Sequence, residues 1–215
     1  MEHNKRQGRV IPRIYLVSSG EEKSENCSRL MTQLSLLPHP FPCIVQIREK
    51  QLNTKELLRV ALQIKALALS KETIIIINER LDVALAASLD GIHLPESGCT
   101  PAILRPLAPK MLFGCSVHSL EALRNAEESG ADYLLFGPVF ETPSKRAYGP
   151  PQGLQLLGRI SHSTSLPVFA LGGITPENAA YCMAEGAYGI AALSIFQETT
   201  RLVDTIERFY NIVTP

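Results

Sequence analysis

Short, unbroken apolar runs alternate with amphipathic stretches along all 215 residues, and this alternation constrains the fold more than any other feature. The runs are Arg13–Val17, Cys43–Ile47, Thr73–Ile77, Gly91–His93, Leu112–Cys115, Tyr133–Phe136, Val168–Leu171 and Gly189–Ala192. They do not alternate apolar with polar. Ile74-Ile75-Ile76-Ile77 is apolar on both sides, which suits a parallel strand covered on both faces. Helical patterns lie between them at Glu21–Leu37, Thr54–Leu69, Leu81–Ser88, Pro101–Leu107, Leu120–Ser129, Pro151–Ile160, Pro176–Ala184 and Phe196–Tyr210. Asn53-Thr54-Lys55-Glu56 carries a helix-start signal, as does Thr175 ahead of Pro176. Eight strand–helix units predict a single (β/α)8 TIM barrel over 1–215, with no linker or domain boundary. A doubly wound open sheet is the rival, but it usually needs fewer strands, and no glycine-rich dinucleotide fingerprint follows the first run.

Charge and cysteine usage narrow the function. The chain has 21 Lys+Arg and 21 Asp+Glu, so its formal net charge is zero and nothing global attracts it to nucleic acid or an anionic membrane. No apolar run approaches the roughly 20 residues that cross a bilayer. Met1-Glu2-His3-Asn4-Lys5-Arg6 lacks the apolar core of a signal peptide. The five cysteines include no CxxC pair, so neither a zinc site nor a disulfide framework is suggested. A cytoplasmic protein with reduced thiols is expected.

In a barrel, chemistry belongs at the C-terminal strand ends. The second run continues Gln46-Ile47-Arg48-Glu49-Lys50, and alternation sends Gln46, Arg48 and Lys50 to one side, as an anion-binding cluster at the mouth. Asn78 is placed either to bond a heterocycle or to cap the next helix. His93 reads as a core histidine bonded to backbone. His118, two residues past Ser116, is placed to shuttle a proton near neutral pH, while Ser119 caps the next helix. The loop 136–151 carries Thr142, Ser144 and Lys145 among Gly and Pro, as expected of a loop that closes over an anionic ligand. Gly172 and Gly173 end the seventh run, and Leu193 and Ser194 the eighth, where this fold recurrently binds phosphate.

These segments together resemble the thiamine phosphate synthase/TenI superfamily over nearly the whole chain. The resemblance is carried by Tyr15-Leu16-Val17, Gln46-Ile47-Arg48-Glu49-Lys50, Asn78-Glu79-Arg80-Leu81-Asp82-Val83-Ala84, Asp90-Gly91-Ile92-His93-Leu94 and Ser116-Val117-His118-Ser119-Leu120-Glu121. It continues through Gly130-Ala131-Asp132-Tyr133, Gly137-Pro138-Val139-Phe140, Gly172-Gly173-Ile174-Thr175-Pro176 and Gly189-Ile190-Ala191. The resemblance implies the same barrel and either of two activities. Synthases join an aminopyrimidine diphosphate to a thiazole phosphate with Mg²⁺; TenI-type proteins tautomerise a carboxylated thiazole phosphate without metal.

Two positions tilt the expectation toward TenI. Glu79 stands where the synthase pattern has a metal-binding Asp, and Gly98 falls near the second Asp. Against that, Thr142, Ser144 and Lys145 resemble the synthase's pyrophosphate-binding run. The expectation is therefore a metal-independent thiazole tautomerase needing no cofactor. In it His118 moves the proton, Arg48 and Lys50 pair with the carboxylate, and Gly172, Gly173 and Ser194 hold the phosphate. The alternative is a Mg²⁺-dependent synthase with Asn78, Glu79, Ser116, Thr142, Ser144 and Lys145 around the diphosphate. A thiazole phosphate-binding regulator is the third reading. The partner in each case is a small molecule, and the resemblance leaves room for a homo-oligomer.

Overall fold

The computed structural model describes residues 5–6, 9–22, 27–67, 69–142 and 150–214. Its parallel strands close into the expected barrel: β1 (Ile14–Val17), β2 (Cys43–Ile47), β3 (Ile74–Asn78), β4 (Gly91–Leu94), β5 (Leu112–Val117), β6 (Tyr133–Phe136), β7 (Val168–Leu171) and β8 (Gly189–Ala192). Each strand pairs with the next, and β8 pairs with β1. The helices are α1 (Ser28–Ser35), α2 (Thr54–Lys65), α3 (Leu81–Ala86), α4 (Pro101–Leu104), α5 (Leu120–Glu128), α6 (Gly153–His162), α7 (Ala179–Ala184) and α8 (Leu202–Val213). None of them is long and apolar enough to cross a membrane.

The continuous apolar runs work because both strand faces are buried. Ile75, Ile77, Val45, Ile47, Phe113 and Cys115 pack outward with the helices, while Ile74, Ile76, Ile44, Leu112, Leu135 and Phe169 fill the barrel. Asn53 starts α2 as expected: its side chain accepts from the Glu56 N–H at 3.1 Å, and Glu56 returns a bond to the Asn53 N–H at 2.9 Å.

Several element starts differ from the sequence reading. The start expected at Thr175 is instead a turn, in which the Asn178 side chain accepts from the Thr175 N–H at 2.8 Å, and α7 begins after it. Two 3₁₀ turns, Ser194–Gln197 and Thr199–Arg201, precede α8 and delay its start to Leu202. The described part of the first helix begins only at Ser28, after Cys27 with a left-handed φ of 38°.

The lower end of the barrel is held by buried carboxylates. Asp90 accepts from the Ile75 N–H at 2.7 Å and pairs with Arg9 and with Lys65. Asp132 repeats the device one pair of strands along, accepting from the Phe113 N–H at 2.9 Å and from Arg105 at 2.8 Å. Ile11 joins the inner core, and Tyr188 donates to the Ile11 carbonyl. With the floor closed, the opposite rim is the open end for chemistry.

Candidate active site

The alternation of β2 does point Gln46 inward. It is buried, and its amide is used at both ends: Oε1 accepts from the Tyr15 hydroxyl at 3.0 Å, and Nε2 donates to Asn78 Oδ1 at 2.9 Å. Asn78 in turn donates to Glu79 Oε2 at 2.8 Å. Asn78 is therefore not the cap of α3, whose N-cap is Arg80, with no side-chain capping bond to the helix N–H groups. Glu79 holds a left-handed backbone at φ 60°, which turns the chain at the rim and leaves the residue exposed.

Arg48 is half-buried at the same rim. Its backbone N–H donates to the buried Ser18 hydroxyl at 2.8 Å, and Gly20 lies against its carbonyl and guanidinium. The neighbouring Glu49 is buried and accepts from the N–H groups of Gly20 at 3.3 Å and Glu22 at 3.0 Å. The loop after β1 is thus stitched to Arg48 and Glu49, a role for Ser18 and Glu49 that spacing did not reveal. Lys50 does not share the inward side with Gln46: β2 ends at Ile47, alternation stops with it, and Lys50 is exposed in the following turn.

His93 is buried, as expected of a core histidine, but its partners are side chains and not backbone. Nε2 lies 2.9 Å from the Ser116 hydroxyl and Nδ1 3.4 Å from the Tyr133 hydroxyl. Burial, reinforced by the nearby Arg48 charge, pushes its pKa down from 6.5 to about 3. The unfolded imidazole takes a proton near pH 6.5 while the folded one refuses it until about pH 3. Stability from this group is therefore complete above pH 6.5 and declines as the pH falls through that window. Urea unfolding near neutral pH and near pH 5 should show wild type losing about 2 kcal/mol more than His93→Gln. Equal losses would mean that His93 takes up its proton normally.

His118 is exposed at the rim, and its Nδ1 lies 2.6 Å from Glu96 Oε2. Ser119 caps α5 by accepting from the Ala122 N–H at 3.1 Å. Gly172 and Gly173, at φ 99° and 65°, follow β7, and Leu193 and Ser194 follow β8. Leu171 pairs with Ala191, so these four residues lie at adjacent strand ends. The start of the long loop docks on them: the Val139 N–H donates to the Leu171 carbonyl at 2.8 Å and the Phe140 N–H to the Gly172 carbonyl at 3.0 Å. Thr142 is half-buried just beyond. Ser144 and Lys145 lie outside the described residues.

The C-terminal mouth of the barrel thus carries the half-buried Arg48 and the exposed Glu79 on one side, and Gly172 and Gly173, both with left-handed φ, on the other. The thiamine monophosphate synthase family model matches residues 14–196, and the chain belongs to that family. It is 38% identical over 188 residues to an Aquifex aeolicus protein provisionally named thiamine-phosphate synthase 2, covering 87% of this chain and 99% of that one. It is 40% identical over 152 residues to the thiamine-phosphate synthase of Methanocella arvoryzae, covering 70% and 72%. Among solved structures, the thiamine phosphate pyrophosphorylase from Pyrococcus furiosus superposes with a TM-score of 0.79 at 27% identity, covering 99% of this chain and 98% of that one.

These relatives correct the expectation of an isomerase, because they are named as enzymes of the synthase reaction. The tautomerase reading leaned on Glu79 replacing an Asp. In the structure Asn78 donates to one oxygen of the Glu79 carboxylate at the rim.

Proposed function

We propose that residues 1–215 act as one domain, a Mg²⁺-dependent thiamine phosphate synthase of the cytoplasm. In the reaction the thiazole ring nitrogen bonds to the methylene carbon of the aminopyrimidine. The bond from that carbon to the diphosphate oxygen breaks, and its electron pair leaves with pyrophosphate. The observation that carries the reading is the pair of oriented amides, Gln46 and Asn78, leading to the Glu79 carboxylate beside Arg48 in a chain of this family.

The donor set fits Mg²⁺ in one specific way. Among the described residues, no three His, Cys, Asp or Glu side chains are grouped to hold a metal by themselves. Mg²⁺ at phosphate sites is usually held by one or two carboxylates, with substrate oxygens and water completing its shell. Glu79, exposed and oriented by Asn78, supplies such a carboxylate. Glu96 is engaged with His118 instead. When bound, the ion neutralises charge on the departing diphosphate.

The chain's own residues do the rest. Arg48, with Lys50 further out, offers cationic donors to the diphosphate, and the fork of an arginine suits two of its oxygens. Thr142, Ser144 and Lys145 extend that shell by resemblance to the synthase run. Gly172, Gly173, Leu193 and Ser194 receive the thiazole phosphate through backbone N–H groups, which glycine lets approach closely. Ser116 faces the reacting pair from β5, and His118 with Glu96 borders it.

The test is a coupling assay with aminopyrimidine diphosphate, thiazole phosphate and Mg²⁺. Thiamine phosphate and pyrophosphate should appear one for one. Consumption of neither substrate, with thiazole phosphate bound, would assign the chain to the regulators.

A further inference from the structure

The barrel interior contains a polar chain that the reaction above uses only at its two ends. It links Ser116, His93, Tyr133, Tyr15, Gln46, Asn78 and Glu79 through successive hydrogen bonds of 2.9, 3.4, 3.2, 3.0, 2.9 and 2.8 Å. The central members, His93, Tyr133, Tyr15 and Gln46, are all buried. Burial holds both tyrosine hydroxyls protonated by raising their pKa values.

The direction of this chain follows from the chemistry of its members. Tyr15 spends its single proton on Gln46 Oε1. In the contact between the two tyrosines, Tyr133 must therefore be the donor. With its own proton committed, Tyr133 can only accept at its contact with His93, so His93 Nδ1 carries the hydrogen. A neutral imidazole protonated on Nδ1 has a lone pair on Nε2, and the Ser116 hydroxyl donates into it. Every donor thus points the same way, from Ser116 on β5 to the Glu79 carboxylate beyond β3. Chains aligned head to tail in a low-dielectric interior strengthen one another.

The geometry points to Tyr133 as a positioning residue that joins the two halves of the site, fixing His93 as the Nδ1–H tautomer and turning the Ser116 oxygen into an acceptor aimed at a substrate N–H donor. An aminopyrimidine brings such a donor in its exocyclic amine. Gly114, paired with Tyr133 across β5 and β6, makes the arrangement possible: a Cβ there would lie 2.0 Å from the tyrosine Cζ. The ring is further held by stacking on His93, with centroids 5.9 Å apart, and edge-on by Phe169, also at 5.9 Å.

The assignment of an N–H donor to Ser116 rests on the synthase reading; the direction of the chain does not. Tyr133→Phe keeps the ring and removes the link, and its circular dichroism should match wild type, showing that it folds. Ring-nitrogen NMR of His93 should report the Nδ1–H tautomer in wild type, and Tyr133→Phe should lose it or mix it with the Nε2–H form. In the coupling assay, Tyr133→Phe should lower kcat about tenfold while leaving KM for thiazole phosphate unchanged, as one lost oriented hydrogen bond implies. An Nε2–H tautomer in wild type, or an unchanged tautomer in Tyr133→Phe, overturns the proposal even if the enzyme is a synthase. If wild type lacks coupling activity but shows the expected tautomer shift, the chain of bonds stands and the synthase reading falls.

Discussion

Arg48→Met is expected to lower kcat/KM for the diphosphate substrate by about 10²- to 10³-fold, from the loss of two charge-assisted hydrogen bonds. Methionine preserves most of the side-chain length, so the stitched loop after β1 keeps its packing. That loop is held through the Arg48 backbone N–H and the Glu49 carboxylate, and the substitution removes neither. The loss should appear against the diphosphate and leave thiazole phosphate binding largely intact. A second signature is independent of turnover. The Arg48 charge is the lesser of two causes holding the His93 pKa down, after burial, so its removal should raise that pKa. A change in kcat/KM within about threefold would take Arg48 out of the diphosphate site.

Gly172→Ala should be nearly as costly, for a different reason. Gly172 has φ 99°, and an added Cβ would lie 2.5 Å from the Pro138 Cβ and 2.6 Å from its Cα. The substitution combines backbone strain with a collision against another loop. Pro138 leads into the segment that docks through Val139 and Phe140, so the clash pushes that segment off the cradle. KM for thiazole phosphate should rise about 30-fold or more, corresponding to roughly 2 kcal/mol. Gly153→Ala is the control, since Gly153 has φ 80° but nothing lies within 4 Å of its added Cβ. It carries strain without collision, and its KM should stay close to wild type. Equal KM values for the two variants would remove Gly172 from the phosphate cradle.

Much of the barrel could be read from residues because its strands are apolar on both faces and short. Cys43–Ile47, Tyr133–Phe136, Val168–Leu171 and Gly189–Ala192 have the bounds that the runs suggest. Helix starts were harder where the backbone leaves the α basin. Cys27 is left-handed, Thr175–Asn178 is a side-chain-capped turn, and the segment before Leu202 winds as 3₁₀. None of these leaves a periodic signature in side-chain polarity.

The site was legible at its edges and hidden at its centre. Gln46 could be placed because β2 extends through it, and Lys50 was misplaced because the strand stops at Ile47. Tyr15 and Tyr133 read as apolar filler in continuous runs, and only the closed barrel brings their hydroxyls within 3.2 Å. One signal was available: alternation puts both tyrosines on the inward face, where a buried hydroxyl needs a partner. Glu96 was missed as a partner for His118 because 22 residues separate them and only the pairing of β4 with β5 joins their loops.

Metal-dependent coupling at this mouth is decided by measuring thiamine phosphate formation from the two substrates with Mg²⁺ and with excess EDTA. The predicted result is stoichiometric thiamine phosphate and pyrophosphate with Mg²⁺, and none with EDTA until Mg²⁺ is restored. Coupling that proceeds undiminished in EDTA would contradict Glu79 as a metal carboxylate, and no coupling in either condition would contradict the synthase itself.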